Sequence, residues 1–205
     1  MVNCPTPRPR KLFMEAFLVS TGIVALAEIG DKTQLLALVL AARYKKPWPI
    51  IWGIFTATVV NHALAGSAGA WVASALGPEP LRWILGLSFL AMAAWMLVPD
   101  KLEAANAQPA RGTFGVFGAT TVAFFLAEMA DKTQIATVAL AARFDALAAV
   151  VVGTTLGMMI ANVPAVLLGE VATRKLPARA VHAVAAAIFA ILGIVVLWSP
   201  RWMPV

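Results

Sequence analysis

Charge is scarce in this 205-residue chain: Asp, Glu, Lys and Arg make up 13% of it, about half the share of an ordinary soluble domain. Cysteine occurs once, at Cys4, which excludes a disulfide framework and a thiolate metal site. Histidine occurs twice, at His62 and His182, with no Cys or Met cluster beside either, so zinc and copper are poorly served. No uninterrupted basic run accompanies the net charge of +6, which removes nucleic acid as a partner. A Walker motif is also missing, so this chain alone does not drive transport with ATP.

Apolar residues fill the space instead, at 61% with a mean hydropathy of +0.84. Several stretches reach the ~20 residues that cross a bilayer. The chain reads as an all-α integral membrane protein, one transmembrane domain over 1–205, with the lipid bilayer as its surroundings. Arg8, Arg10 and Lys11 ahead of the apolar run 12–27 outline a secretory signal peptide. The same segment returns a hundred residues later, so the run is read as a retained helix.

That return is an internal repeat. Ala27-Glu28-Ile29-Gly30-Asp31-Lys32-Thr33-Gln34 is matched by Ala127-Glu128-Met129-Ala130-Asp131-Lys132-Thr133-Gln134, and Leu40–Arg43 by Leu140–Arg143. Over 27–43, ten of seventeen positions are identical at an offset of 100, and Gly53/Gly153 and Gly69/Gly169 keep it. Each half divides into three apolar segments, 12–42, 49–76 and 80–98, then 113–142, 146–172 and 178–198. Repeat 1 thus spans 12–98, a polar linker 99–112, and repeat 2 113–198.

Lipid satisfies no backbone groups, so these spans are helices. An odd number of spans per repeat turns the second copy upside down. The expectation is therefore six transmembrane helices as two inverted three-helix repeats (3+3), with a site near the midplane where they meet. Six Lys and Arg fall on the N-terminal side and eight on the other, which places both termini outside. Trp48, Trp52, Trp83, Trp198 and Trp202 lie near segment ends, as interfacial anchors do.

Of ten acidic residues, Glu28, Asp31, Glu128 and Asp131 lie inside long apolar segments, as do Lys32 and Lys132. Each buried charge costs about 2.5–3.5 kcal/mol on insertion scales, so all six must face protein or water. Read as one continuous helix, Glu28 and Asp31 are i and i+3 on one face, and Glu28 and Lys32 are i and i+4, within ion-pair reach. Thr33 and Thr133 add hydroxyls, and Gln34 and Gln134 add amide oxygens. Gly30 permits a close backbone approach or a local break that frees carbonyls.

If the repeats converge, four carboxylates and two amides form an all-oxygen set suited to Mn²⁺, Ca²⁺ or Mg²⁺. Four carboxylates and two ammonium groups leave a charge of −2, which one divalent cation or two protons neutralise. Such a site favours obligatory exchange. The plainer alternative makes Glu28–Lys32 and Glu128–Lys132 interhelical ion pairs that hold a bundle together.

These duplicated motifs resemble those of the GDT-type cation/proton exchanger family, also called uncharacterised protein family 0016. The resemblance covers about 12–198. It implies export of a divalent cation, Mn²⁺ first and Ca²⁺ next, in exchange for protons, as in bacterial manganese exporters. By the same resemblance Glu28, Asp31, Glu128 and Asp131 are the site acids, Lys32 and Lys132 the motif lysines, and Thr33 and Thr133 the hydroxyls. Ala130 stands where the family pattern has glycine. No cofactor is expected beyond the transported cation, and the implied location is the bacterial plasma membrane.

Asn61, His62 and Asn162, on the second segment of each repeat, could complete the coordination shell, relay protons or make interhelical hydrogen bonds. Two other function classes stand beside the exchanger. An exporter of small cationic organic solutes would want more aromatic or amide groups near the motif. An intramembrane metal-dependent enzyme would want a nucleophile or a His–acid pair beside the metal.

Overall fold

The computed structural model describes residues 9–98, 112–129, 131–168 and 178–198. The regular structure among them is helical: α1 (Pro9–Glu28), α2 (Lys32–Tyr44), α3 (Pro47–Ala75), α4 (Pro78–Met96), α5 (Gly112–Glu128), α6 (Lys132–Arg143), α7 (Leu147–Leu168) and α8 (Ala178–Trp198). Prolines open α3 and α4, where a missing N–H costs nothing. Lys45, left-handed at φ 51°, closes α2 by returning its N–H to Ala41 O. The expected linker 99–112, apart from Gly112, lies outside the described residues, as do Ala130, Gly169 and Trp202.

The structure corrects the first segment of each repeat. Neither 12–42 nor 113–142 is one straight helix: α1 and α2 meet at 69°, and α5 and α6 at 71°. Gly30 adopts φ +83°, a conformation that L side chains resist. Asp31 (φ −80°, ψ 169°) and Asp131 (φ −84°, ψ 169°) sit extended at the N-caps of α2 and α6. Their N–H groups return to the carbonyls of Glu28 and Glu128 at 3.1 and 3.2 Å, so one turn is built twice. Non-helical backbone at membrane depth is tolerated only where protein or water surrounds it.

Among the described residues three helices, α3, α7 and α8, are long and apolar enough to cross a membrane, and the two bent pairs add a fourth and a fifth span if each crosses once. The helix expected as the third span, α4, falls short of that criterion. Its first turns hold Pro78, Glu79, Pro80 and Arg82, the last ion-paired to Glu79 at 3.0 Å.

The two halves interlock. Helix α3 packs against α5 and α6 of the other half, and α7 packs against α1 and α2. A Cβ on Gly53 would come within 2.7 Å of Thr120, and one on Gly153 within 2.6 Å of Phe17 O. Helices α4 and α8 pack on each other, with the rings of Phe89 and Phe189, a hundred positions apart, 6.1 Å between centroids. Between apolar helices in lipid this close packing, rather than escape from water, supplies the adhesion. Its consequence is that each break lies beside the long helix of the opposite half.

Candidate metal centre

Glu28 is the last residue of α1 and Glu128 the last of α5; Asp31 and Asp131 cap α2 and α6. All four carboxylates are buried, the glutamates at 0% exposure. The interlocked halves bring one ligand oxygen each from Glu28, Glu128 and Asp131 within 4.8 Å of one another. Asp31 is buried beside this triad, and its charge acts on both Glu128 and Lys32. The helical face expected for Glu28, Asp31 and Lys32 does not exist, because the break separates them. The acids of the two motifs meet regardless, through tertiary packing.

Hydroxyls fix the glutamates. Thr33 Oγ1 donates to Glu28 Oε2 at 2.5 Å, and Thr133 Oγ1 donates to Glu128 Oε2 at 3.0 Å. Each threonine sits in the first turn after the break and reaches back across it. Glu28 Oε1, Glu128 Oε1 and Asp131 Oδ2 accept no hydrogen bond among the described residues. A buried carboxylate oxygen without a partner is costly. Three such carboxylates, each with one ligand oxygen within 4.8 Å of the others, form a cradle for a hard cation or for protons.

Lys32 does not pair as the spacing predicts. Lys32 Nζ lies 3.0 Å from Asp131 Oδ1 in the other half, rather than on Glu28. The bend carries the side chain of Lys32 away from α1 and towards α6. Lys132 is buried, and its Nζ donates to Val98 O at 3.3 Å.

Of the amides, Gln34 accepts the Gly30 N–H at Oε1 and donates from Nε2 to Ala161 O, both at 3.0 Å. It therefore pins the break to α7, with both amide atoms engaged. Gln134 is half-buried. Asn61 Nδ2 donates to Phe125 O at 3.1 Å, fastening α3 to the last turn of α5. Asn162 Nδ2 donates to Met158 O within its own helix. His62 is fully buried, with no hydrogen bond to either ring nitrogen among the described residues. Sequence reasoning missed the carbonyl acceptors at Phe125, Ala161 and Val98, which no side-chain pattern advertises.

Helix ends complete the field. The positive ends of α2 and α6 start at the carboxylates, and the negative ends of α1 and α5 lie there too. All the donors are oxygen, as Mn²⁺, Ca²⁺ and Mg²⁺ require.

Comparisons with known proteins agree with this chemistry. The sequence profile "Divalent cation/proton antiporter GDT1" matches the chain twice, over residues 16–104 and 116–204. A protein of Vibrio cholerae, provisionally named a manganese exporter, is 51% identical over 189 residues, covering 92% of this chain and 93% of its own. A GDT1-like protein 4 of Oryza sativa is 30% identical over 200 residues, covering 85% of this chain and 70% of its own. A GDT1-like protein of Synechocystis is 26% identical over 214 residues, with 91% and 98% covered. No solved structure matches the chain. Buried carboxylates in an all-helical membrane chain and a double profile match lead to one family: this chain belongs to the GDT1 family of divalent cation/proton antiporters, and is a membrane transporter rather than an enzyme.

Proposed function

We propose that this chain exports manganese, with calcium the next choice, in exchange for protons. The cation is held by Glu28, Asp31, Glu128 and Asp131, with carbonyl oxygens at the helix breaks nearby. The observation that carries the reading is the set of three orphaned oxygens, Glu28 Oε1, Glu128 Oε1 and Asp131 Oδ2, on carboxylates whose ligand atoms lie within 4.8 Å. Thr33 and Thr133 orient the glutamates, Lys32 neutralises part of Asp131, and Gln34 and Asn61 brace the breaks. Gln134, Thr33, Thr133, Asn61 and Asn162 stand near the ion's path rather than in its first contacts. Manganese ranks above calcium because the Vibrio cholerae relative carries that name.

The four motif acids and two lysines sum to −2, so one M²⁺ or two H⁺ neutralise the site, and an empty site is charged. Six spans in two inverted halves, repeat 1 over 12–98 and repeat 2 over 113–198, suit this exchange. The double profile match with its offset of 100 and the mutual packing of α4 and α8 support that arrangement. The membrane is the bacterial plasma membrane, with both termini outside.

The test is metal uptake by proteoliposomes holding the purified chain, with and without an acid interior, comparing Mn²⁺, Ca²⁺ and Mg²⁺. Proton-driven Mn²⁺ uptake that vanishes in Asp31→Asn is expected. Folded protein that moves no divalent ion overturns the reading in favour of a small cationic organic solute.

A further inference from the structure

The half-helices α2 and α6 end alike in sequence, Ala-Ala-Arg followed by an aromatic residue, and differently in space. Arg43 lies over the ring of Tyr44 at 5.8 Å, and Arg143 lies over the ring of Phe144 at 5.1 Å. Ala42 and Arg43 are exposed, whereas Ala142 and Arg143 are buried, Arg143 at 9%. Val39 is 52% exposed and its counterpart Ala139 only 4%. Helix α4 packs against α6, and among the described residues α8 makes no comparable packing on α2.

Two features follow α6 from Lys132 towards Arg143. The inner one is backbone packing: a Cβ on Gly69 of α3 would collide with Val138 O of α6. Beyond it lies a cavity of about 260 Å³ lined by Ala70, Ser74, Leu81, Arg143 and Phe144 among others. Arg143 stands in its wall about 17 Å along α6 from Lys132, at 1.5 Å of rise per residue. Glu15 of α1 is the carboxylate whose charge acts on it.

We propose that Arg143 and Arg43 are the two charge gates of the exchanger: the buried guanidinium closes the α6 side to a divalent cation while its exposed counterpart leaves the α2 side open. The proposal rests on the exchange reading above, and it concerns residues outside both motifs. Arginine suits the task because its guanidinium keeps its charge, so a gate made of it takes no part in the proton traffic. A neutral proton-loaded site feels little of that charge, whereas a divalent cation on the closed side is repelled. In the alternate state Arg43 is buried and Arg143 exposed.

The experiment compares full-length wild type, Arg143→Gln, Arg43→Gln and Arg143→Lys in proteoliposomes, reading Mn²⁺ flux without a pH gradient and proton movement per Mn²⁺. Mn²⁺ binding to the purified protein is read in parallel. Arg143→Gln is expected to bind Mn²⁺ as wild type does and to leak it, uncoupled from protons, about tenfold faster. Arg143→Lys restores coupling. A second readout covers the case where Arg143→Gln does not fold: in a Cys4→Ser background, solubilised in detergent so that both faces are reachable, Ala42→Cys is labelled by a thiol reagent and Ala142→Cys is not. Acid pH and saturating Mn²⁺ shift the two labelling rates in opposite directions. Strict wild-type coupling in folded Arg143→Gln, or equal labelling at the two positions, overturns the gates alone. Absence of Mn²⁺ and Ca²⁺ exchange in wild type overturns the exchange reading, and the gates with it.

Discussion

Lys32, from the first motif, is ion-paired at 3.0 Å to Asp131, from the second. A bond between the halves replaces the bond within one half that helical spacing predicts. It ties the positions of α2 and α6 together at the point where both begin. A conformational change that separates the halves must therefore break or exchange this pair.

Breaking the pair from one side should destabilise more than removing it whole. Lys32→Met leaves the Asp131 carboxylate buried without its cation, whereas Lys32→Met with Asp131→Asn leaves neither charge. Thermal unfolding in detergent is expected to place the double variant above the Lys32→Met single. The coupling between the two sites should be about 0.5–3 kcal/mol. Strictly additive losses would mean the pair is incidental.

Removing a threonine hydroxyl should cost affinity without removing a ligand. Thr33→Val and Thr133→Val free Glu28 and Glu128 to rotate, and partners of this kind are worth about 10–100-fold in metal affinity. Titration with Mn²⁺ checks this, and Thr33→Ser, which keeps the hydroxyl, should stay near wild type.

The acids should be indispensable and dispensable for folding at once. Asp31→Asn and Glu128→Gln are expected to abolish Mn²⁺ transport while eluting as folded protein in size-exclusion chromatography. For Glu128→Gln stability is expected to hold or rise, because the substitution removes a buried charge.

Proton and cation compete for the same oxygens, so Mn²⁺ affinity should fall as pH falls. If two protons replace one cation, the logarithm of the apparent Kd changes by about two per pH unit where the site titrates. Binding isotherms over a pH series measure the slope. A flat profile would separate proton transport from these carboxylates.

Glycine substitutions should divide by the space around them. Gly69→Ala pushes a methyl into the Val138 carbonyl and Gly153→Ala into that of Phe17, so both should lower the melting temperature. A Cβ on Gly118 of α5 meets nothing within 4 Å. Gly118→Ala should be neutral or stabilising by up to about 1 kcal/mol.

Much of this protein was legible along the chain. The membrane class follows from apolar runs and scarce charge, and the duplication from the repeated Glu-x-x-Asp-Lys-Thr-Gln. The choice of Glu28, Asp31, Glu128 and Asp131 as candidate site acids follows from the expense of burying them in lipid. Gly30 flagged a break, yet the bend that carries Lys32 off Glu28 is a matter of backbone direction, and residue spacing presumes a straight helix. The engagement of Gln34 with Gly30 and Ala161 was equally hidden, since an amide that could serve a cation serves a backbone carbonyl as readily.

What the sequence by itself determined is the inventory: helices, two copies of one motif, and six charges that cannot face lipid. Periodicity and hydropathy report each segment's relation to its solvent, so they reach that far. Only the tertiary structure decided the partnerships. Lys32 met Asp131, one ligand oxygen each of Glu28, Glu128 and Asp131 came within 4.8 Å, and Arg143 was buried where Arg43 was not. These depend on how α3 and α7 cross to the opposite half, a relation between distant segments that no local pattern records.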